Sequence, residues 1–151
     1  MTTAYALPGG LPDPYLYPEF YRDVPSKRFF AWVADIIVIA LLTALLTVFS
    51  LFTALLILPF VFATLSFLYR WVTLASGSAT LGMRLAGIEV RAPDGGRLSP
   101  LEGFLHTAGY FVSVAVFPLQ LVSIALMLIT ARGQGLTDLV LGTAALNRRA
   151  A

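Results

Sequence analysis

The run 29–69 constrains this chain more than any other feature: 41 residues in which Asp35 and the terminal Tyr69 carry the only ionisable groups. One helix crossing a bilayer needs about 20 apolar residues, so a run of this length predicts two spans joined by a tight turn. Its weakest apolar point is 47–53, which places the spans at 29–48 and 51–69 with the turn on the far side of the membrane. Pro59 then falls inside the second span and is expected to kink it, with neighbouring helices satisfying the freed carbonyl.

Composition points the same way. Hydrophobic residues make up 58% of the 151 and charged residues 12%, whereas a soluble domain carries roughly 25% charged residues. Cysteine is absent, which removes disulfide frameworks, thiolate zinc sites and thiol nucleophiles. The first apolar run starts only after five prolines, with no short apolar core and small-residue cleavage site before it, so no removable signal peptide is expected. The net charge is +2, and the ten Lys and Arg are scattered singly or in pairs around apolar segments, a pattern of membrane topology rather than nucleic-acid binding.

Three regions follow. Residues 1–26 form a cytoplasmic arm in which Pro8, Pro12, Pro14, Pro18 and Pro25 alternate with Tyr5, Tyr15, Tyr17, Phe20 and Tyr21. Such an arm resists regular helix and suits either interfacial anchoring or a partner-binding face. Residues 27–147 form the membrane domain, and 148–151 a basic tail. Within the domain, Arg70 closes the second span and the polar stretch 76–84 reads as an extramembrane connection. LAGIEVR (85–91), followed by Pro93, Asp94, Gly95 and Gly96, predicts a short β hairpin outside the lipid. Ser99, Pro100 and Glu102 make a capping box with proline at the first helical position, so a helix starts there. Leu101, Phe104, Leu105 and Ala108 repeat at helical spacing and should lie at the interface.

A third apolar run, 107–131, is either one span kinked at Pro118 or two short helices forming a re-entrant hairpin. With the N-terminus inside and three spans, seven Lys and Arg lie inside and Arg132, Arg148 and Arg149 outside; with a hairpin all ten lie inside. The positive-inside bias favours the hairpin, although its turn at 117–119 places irregular backbone at depth, where protein must shield it. The fold class is thus an all-α integral membrane protein with two transmembrane helices, this third segment and a small cytoplasmic β element. The expected location is the cell inner (plasma) membrane, multi-pass, with a cytoplasmic N-terminus.

Arg28 and Asp35 are seven positions apart, so a helix puts them within about 20° of azimuth and roughly 10 Å along its axis. A carboxylate at that depth must be neutral, paired or open to a wet cavity, which leaves both a functional role and a structural lock through Arg28, Arg84 or a backbone donor. Asp138, in GQGLTDLVLGT, suits the cap of a short helix after Gly135. His106 sits where an interfacial helix enters lipid and is assigned no role. One polar cluster of Arg28, Asp35, Asp138 and Arg84 near the cytoplasmic leaflet is expected. No HExxH, GxSxG or P-loop lysine is present, so no catalytic residues, cofactor or metal are expected, and the protein is not read as an enzyme.

KRFFAWVADIIVIALL, ATLGMRLAGIEV, DGGRLS and GQGLTDLVLGT, in that order across 27–146, resemble the RDD family of small membrane proteins. The family is named for one Arg at the start of its first membrane helix and two Asp residues, which the resemblance places at Arg28, Asp35 and Asp138. His106 stands where the family commonly has arginine, and TAAL follows GLTDLVLG where a β-branched strand is usual. The resemblance implies a transport-related role, and the intramembrane acid points to proton-coupled cation movement in which Asp35 exchanges protons. The alternative is a non-enzymatic accessory subunit or assembly factor, because two spans and a hairpin enclose little volume for a substrate path. Expected partners are the lipid bilayer and either further copies of the chain or a larger membrane complex, with no nucleic acid.

Overall fold

The computed structural model describes residues 10–148; Tyr5, Pro8 and Arg149 lie outside the described residues. Helix α1 spans Val24–Phe49, with 26 residues giving about 39 Å, more than the ~30 Å hydrocarbon core. Its buried stripe, Ala31, Asp35, Ile39, Thr43 and Thr47, steps by four residues and is mostly small or polar. Its exposed side chains include Phe29, Phe30, Leu41, Leu45 and Phe49. In water such a helix would be inside out; against lipid tails the apolar side faces the solvent and the small, hydrogen-bonding side packs. Thr43 and Thr47 satisfy themselves within the helix by donating to the carbonyls of Ile39 and Thr43, each at 2.8 Å.

The α1 helix ends where Leu51 and Phe52 take φ of +52° and +65°. A 3-10 segment, Thr53–Ile57, leads into α2, Leu58–Gly77. Two expectations are corrected here. Pro59 does not interrupt a span but sits in the first turn of α2, where its missing N–H breaks no helical hydrogen bond. Nor does Arg70 end that helix, because its guanidinium is buried against protein and the helix runs on one further turn and more. Both α1 and α2 are long and apolar enough to cross a membrane.

After α2, Ser78 adopts φ +54° and donates its N–H to the Leu74 carbonyl at 2.8 Å, closing the helix. Thr80 then caps the short α3, Leu81–Leu85, accepting the Met83 N–H at 3.1 Å. Strand β1, Ile88–Arg91, follows. The expected local hairpin survives only as the turn in which Ala92 donates to the Gly96 carbonyl at 3.0 Å and as one bridge between Arg91 and Arg97. The main partner of β1 is strand β2, Ala144–Asn147, antiparallel with Ile88 opposite Asn147 and Arg91 opposite Ala144. Local turn chemistry revealed where the chain reverses, but tertiary pairing chose the ladder.

Helix α4, Pro100–Ala115, begins at the expected capping box: Ser99 N–H donates to Glu102 Oε2 at 2.7 Å and Glu102 N–H to Ser99 Oγ at 3.2 Å. Leu101, Phe104 and Leu105 point outward, while Gly103, His106, Thr107 and Ser113 are buried. Helix α5, Phe117–Ile129, is bent by 117° from α4 at Val116. Pro118 again occupies a first helical turn, and Ser113 Oγ donates to Gln120 Oε1 at 3.0 Å across the bend. The chain is thereby returned toward the start of α1, and the short α6, Leu136–Leu141, leads into β2.

An ordinary apolar core lies at this one end of the bundle, where Val24, Ala31, Leu74, Met83, Ile88, Val90, Leu98 and Ala145 meet. The described part of the arm docks onto β2. Asn147 Nδ2 donates to the carbonyls of Glu19 and Arg22 at 2.9 Å each, Lys27 Nζ donates to Asn147 Oδ1 at 2.6 Å, and Tyr21 OH donates to the Pro12 carbonyl at 2.7 Å.

Candidate functional site: two buried carboxylate centres on one cavity

The first centre is built by α6. Gly135 precedes the helix, so Asp138 falls at its third position, where a carboxylate reaches back to the preceding N–H; Oδ2 accepts Gly135 N–H at 3.0 Å. Thr143 Oγ1, just beyond the helix, donates to Oδ1 at 2.9 Å. From α4, His106 Nε2 lies 2.9 Å from the same oxygen, and from α1 the Arg28 Nη1 lies 2.7 Å from Oδ2. Asp138 is fully buried. Burial, the largest single influence, raises its pKa, but the Arg28 guanidinium, His106 and the Gly135 N–H together outweigh it and hold the carboxyl well below the usual carboxylate range. A neutral His106 can serve as donor here only with its proton on Nε2.

The second centre is built where α3 presses on α1. A Cβ on Gly82 would stand 2.1 Å from the Ala31 carbonyl oxygen, so only glycine permits the approach. That contact aims the Gly82 N–H at Asp35 Oδ1, 2.8 Å away. Tyr69 OH donates to the same oxygen at 2.6 Å, and Thr80 Oγ1 to Oδ2 at 2.7 Å. Arg70 Nη1 stands 3.9 Å from Oδ2. Its guanidinium carbon lies 4.3 Å from the centre of the Tyr110 ring, so one face rests on the aromatic cloud.

Sequence spacing is thus corrected in one respect. Arg28 and Asp35 share a stripe of α1, yet Arg28 pairs with Asp138, while Asp35 takes its donors from α2, α3 and the residue capping α3. Arg84, expected as a fourth member, donates its Nε to the Ala79 carbonyl at 3.3 Å and packs over Gly77. The reason is geometric: the cap of α3, Thr80, and its first turn, not its fourth residue, face Asp35.

Both centres border one cavity of about 650 Å³ between α1, α2, α4, α5 and α6. Its floor includes the buried Asp35, Arg70, His106 and Asp138; its lining also includes the exposed Phe29, Phe30, Ile124 and Leu128, which therefore mark the opening. These four side chains are apolar and stand on α1 and α5. Trp32 Nε1 donates to Tyr110 OH at 2.9 Å beside the opening, tying α1 to α4. Among the described residues no group of three His, Cys, Asp or Glu side chains converges as metal ligands would.

Sequence reading passed over Arg70, Tyr69, Thr80, Gly82, His106, Tyr110 and Thr143. A signal existed for some of them. In α4, Gly103, His106, Thr107 and Ser113 recur at helical spacing as a small and polar stripe, which in a lipid-facing helix marks the packed side. Nothing local marks Tyr69 or Thr143.

Fold and site together define a helical domain of membrane type, with small and polar residues facing inward and two charged centres on its interior cavity. The RDD family model matches residues 24–142, and the chain belongs to the RDD family. No curated protein and no solved structure matches it.

Proposed function

We propose that this protein has a transport-related role, proton-coupled cation movement in which the intramembrane Asp35 exchanges the proton. The observation carrying this reading is the cavity of about 650 Å³ that reaches both carboxylates. Its volume lies within the ~300–1,000 Å³ usual for small-ligand sites, which answers the objection that so short a chain encloses too little space. Two carboxylates, two guanidiniums and an imidazole on one cavity also supply groups able to trade a proton against a cation. We place the protein in the cell inner (plasma) membrane with a cytoplasmic N-terminus, on the charge count. Further copies of the chain would complete the walls of a path that three apolar segments leave open.

The test is cation flux in liposomes holding the purified full chain under an imposed pH gradient, with Asp35→Asn and Arg84→Gln compared. Flux in the parent and Arg84→Gln, lost in Asp35→Asn, is the expected result. Absence of flux in the parent, or equal flux in Asp35→Asn, overturns the proton-carrier role. The second reading, a non-enzymatic accessory subunit or assembly factor, draws on one feature: the docked arm holds Tyr15 and Leu16 84% and 73% exposed. Co-purification with a larger membrane complex, lost in a Tyr15→Ser/Leu16→Ser variant, would favour it.

A further inference from the structure

We infer that the cavity takes the phosphate of an anionic phospholipid from the surrounding bilayer, with Arg70 as its ligand. Arg70 is 7% exposed, and among the described residues its Nε and Nη2 have no hydrogen-bond partner. These two N–H groups form the same edge of the guanidinium, the edge that grips two oxygens of a phosphate or carboxylate side by side. The other contacts of the group leave that edge unused: Tyr110 lies against a face, and Asp35 stands 3.9 Å from Nη1. A buried cation with two unmade charge-assisted hydrogen bonds is costly, and a ligand that supplies both acceptors removes the cost.

Charge and shape argue for an anionic amphiphile. Arg28 Nη1 also makes no hydrogen bond among the described residues, but it stands 2.7 Å from Asp138 Oδ2, so its charge is matched; Asp35 is already held by three hydrogen bonds, and Arg70, with two unpartnered nitrogens, is the cation on this cavity with the most donor capacity left over. The opening between Phe29 and Phe30 of α1 and Ile124 and Leu128 of α5 is apolar, so in a bilayer an acyl chain would remain in lipid there while its headgroup enters. Neither free nitrogen has open surface in the described arrangement. Engagement therefore turns the guanidinium about its terminal torsions into the cavity that Arg70 already lines. This binding is separate from any ion movement and stands or falls without it.

Trp32 lines the same cavity and reports on its occupant. The chain has two tryptophans, so a Trp71→Phe background leaves Trp32 alone. The full chain is placed in bilayers of phosphatidylcholine into which brominated phosphatidylglycerol or brominated phosphatidylcholine is titrated, and Trp32 quenching is read. Half-maximal quenching at a mole fraction about tenfold lower for the anionic lipid is expected, the size of one charge-assisted interaction. That preference should vanish in Arg70→Gln and persist in Arg22→Gln on the arm. Because Arg70→Gln also removes the contact with Tyr110, a second variant, Ile124→Phe, adds bulk at the opening with Arg70 intact, and should weaken the preference too. Equal quenching by the two lipids in the parent, or an unchanged preference in Arg70→Gln, overturns the inference. So does abolition of the preference by inorganic phosphate in the aqueous phase, which would identify a soluble anion as the occupant.

Discussion

Arg28, in the second turn of the first long helix, and Asp138, in the last short one, lie 2.7 Å apart with the carboxylate wholly removed from solvent. The pair closes the domain: it joins α1 to the segment that leads into β2, and β2 in turn holds both β1 and the N-terminal arm. Removing one partner leaves the other charge buried and unmatched. Arg28→Gln and Asp138→Asn are each expected to destabilise the protein by about 3 kcal/mol, read as a shift in the denaturant midpoint in detergent micelles. A double variant losing no more than the worse single one is the expected sign of direct coupling; full additivity would count against it.

The same pair sets a pH dependence. Because Asp138 titrates lower in the folded protein than the usual carboxylate value of about 3.9, its contribution is complete above that pH and is lost as pH falls below it. Thermal stability in micelles should therefore drop below roughly pH 4, and Asp138→Asn should flatten that part of the profile. A drop of equal size in Asp138→Asn would assign the acid sensitivity elsewhere.

At Asp35 the two substitutions should differ. Asp35→Asn retains an oxygen for the Tyr69 hydroxyl and the Gly82 N–H, whereas Asp35→Ala strands those donors and the Thr80 hydroxyl as well. Asp35→Ala is expected to cost at least about 2 kcal/mol more than Asp35→Asn. Equal unfolding midpoints for the two would show that these hydrogen bonds contribute little.

Gly82→Ala tests the approach of α3 to α1. Its Cβ would meet backbone, the Ala31 carbonyl oxygen at 2.1 Å, so no side-chain rotation relieves the clash. A loss of about 3 kcal/mol is expected, whereas Gly87→Ala, with nothing within 4 Å but φ of +71°, should cost only about 1 kcal/mol. The comparison is read from the two melting curves; a Gly87→Ala loss as large as that of Gly82→Ala would contradict it.

For topology, Tyr15→Cys and Ala131→Cys should label from the same side of the membrane and Leu51→Cys from the other, all three being exposed positions. Phe117→Cys, at the bend between α4 and α5, should resist aqueous reagents. Labelling of Tyr15→Cys and Ala131→Cys from opposite sides would require α4 and α5 to cross as one broken span.

What the sequence determined by itself is what depends on near neighbours and on solvent. The 41-residue run dictated two long helices, the form in which so apolar a stretch satisfies its own backbone hydrogen bonds without water. Ser99 and Glu102 dictated the start of α4, since a capping box closes within four residues, and Gly135 with Asp138 did the same for α6. Arg28, Asp35 and Asp138 were visible as charges in the wrong solvent. Which charge meets which was decided only by the tertiary structure. Spacing along α1 brings Arg28 and Asp35 to one stripe, but the bend at Val116 returns Asp138 to Arg28, and the close approach of Gly82 gives Asp35 to α3. The burial of Arg70 and the pairing of β1 with β2 have the same origin, for both join residues far apart in sequence through contacts that no local pattern encodes.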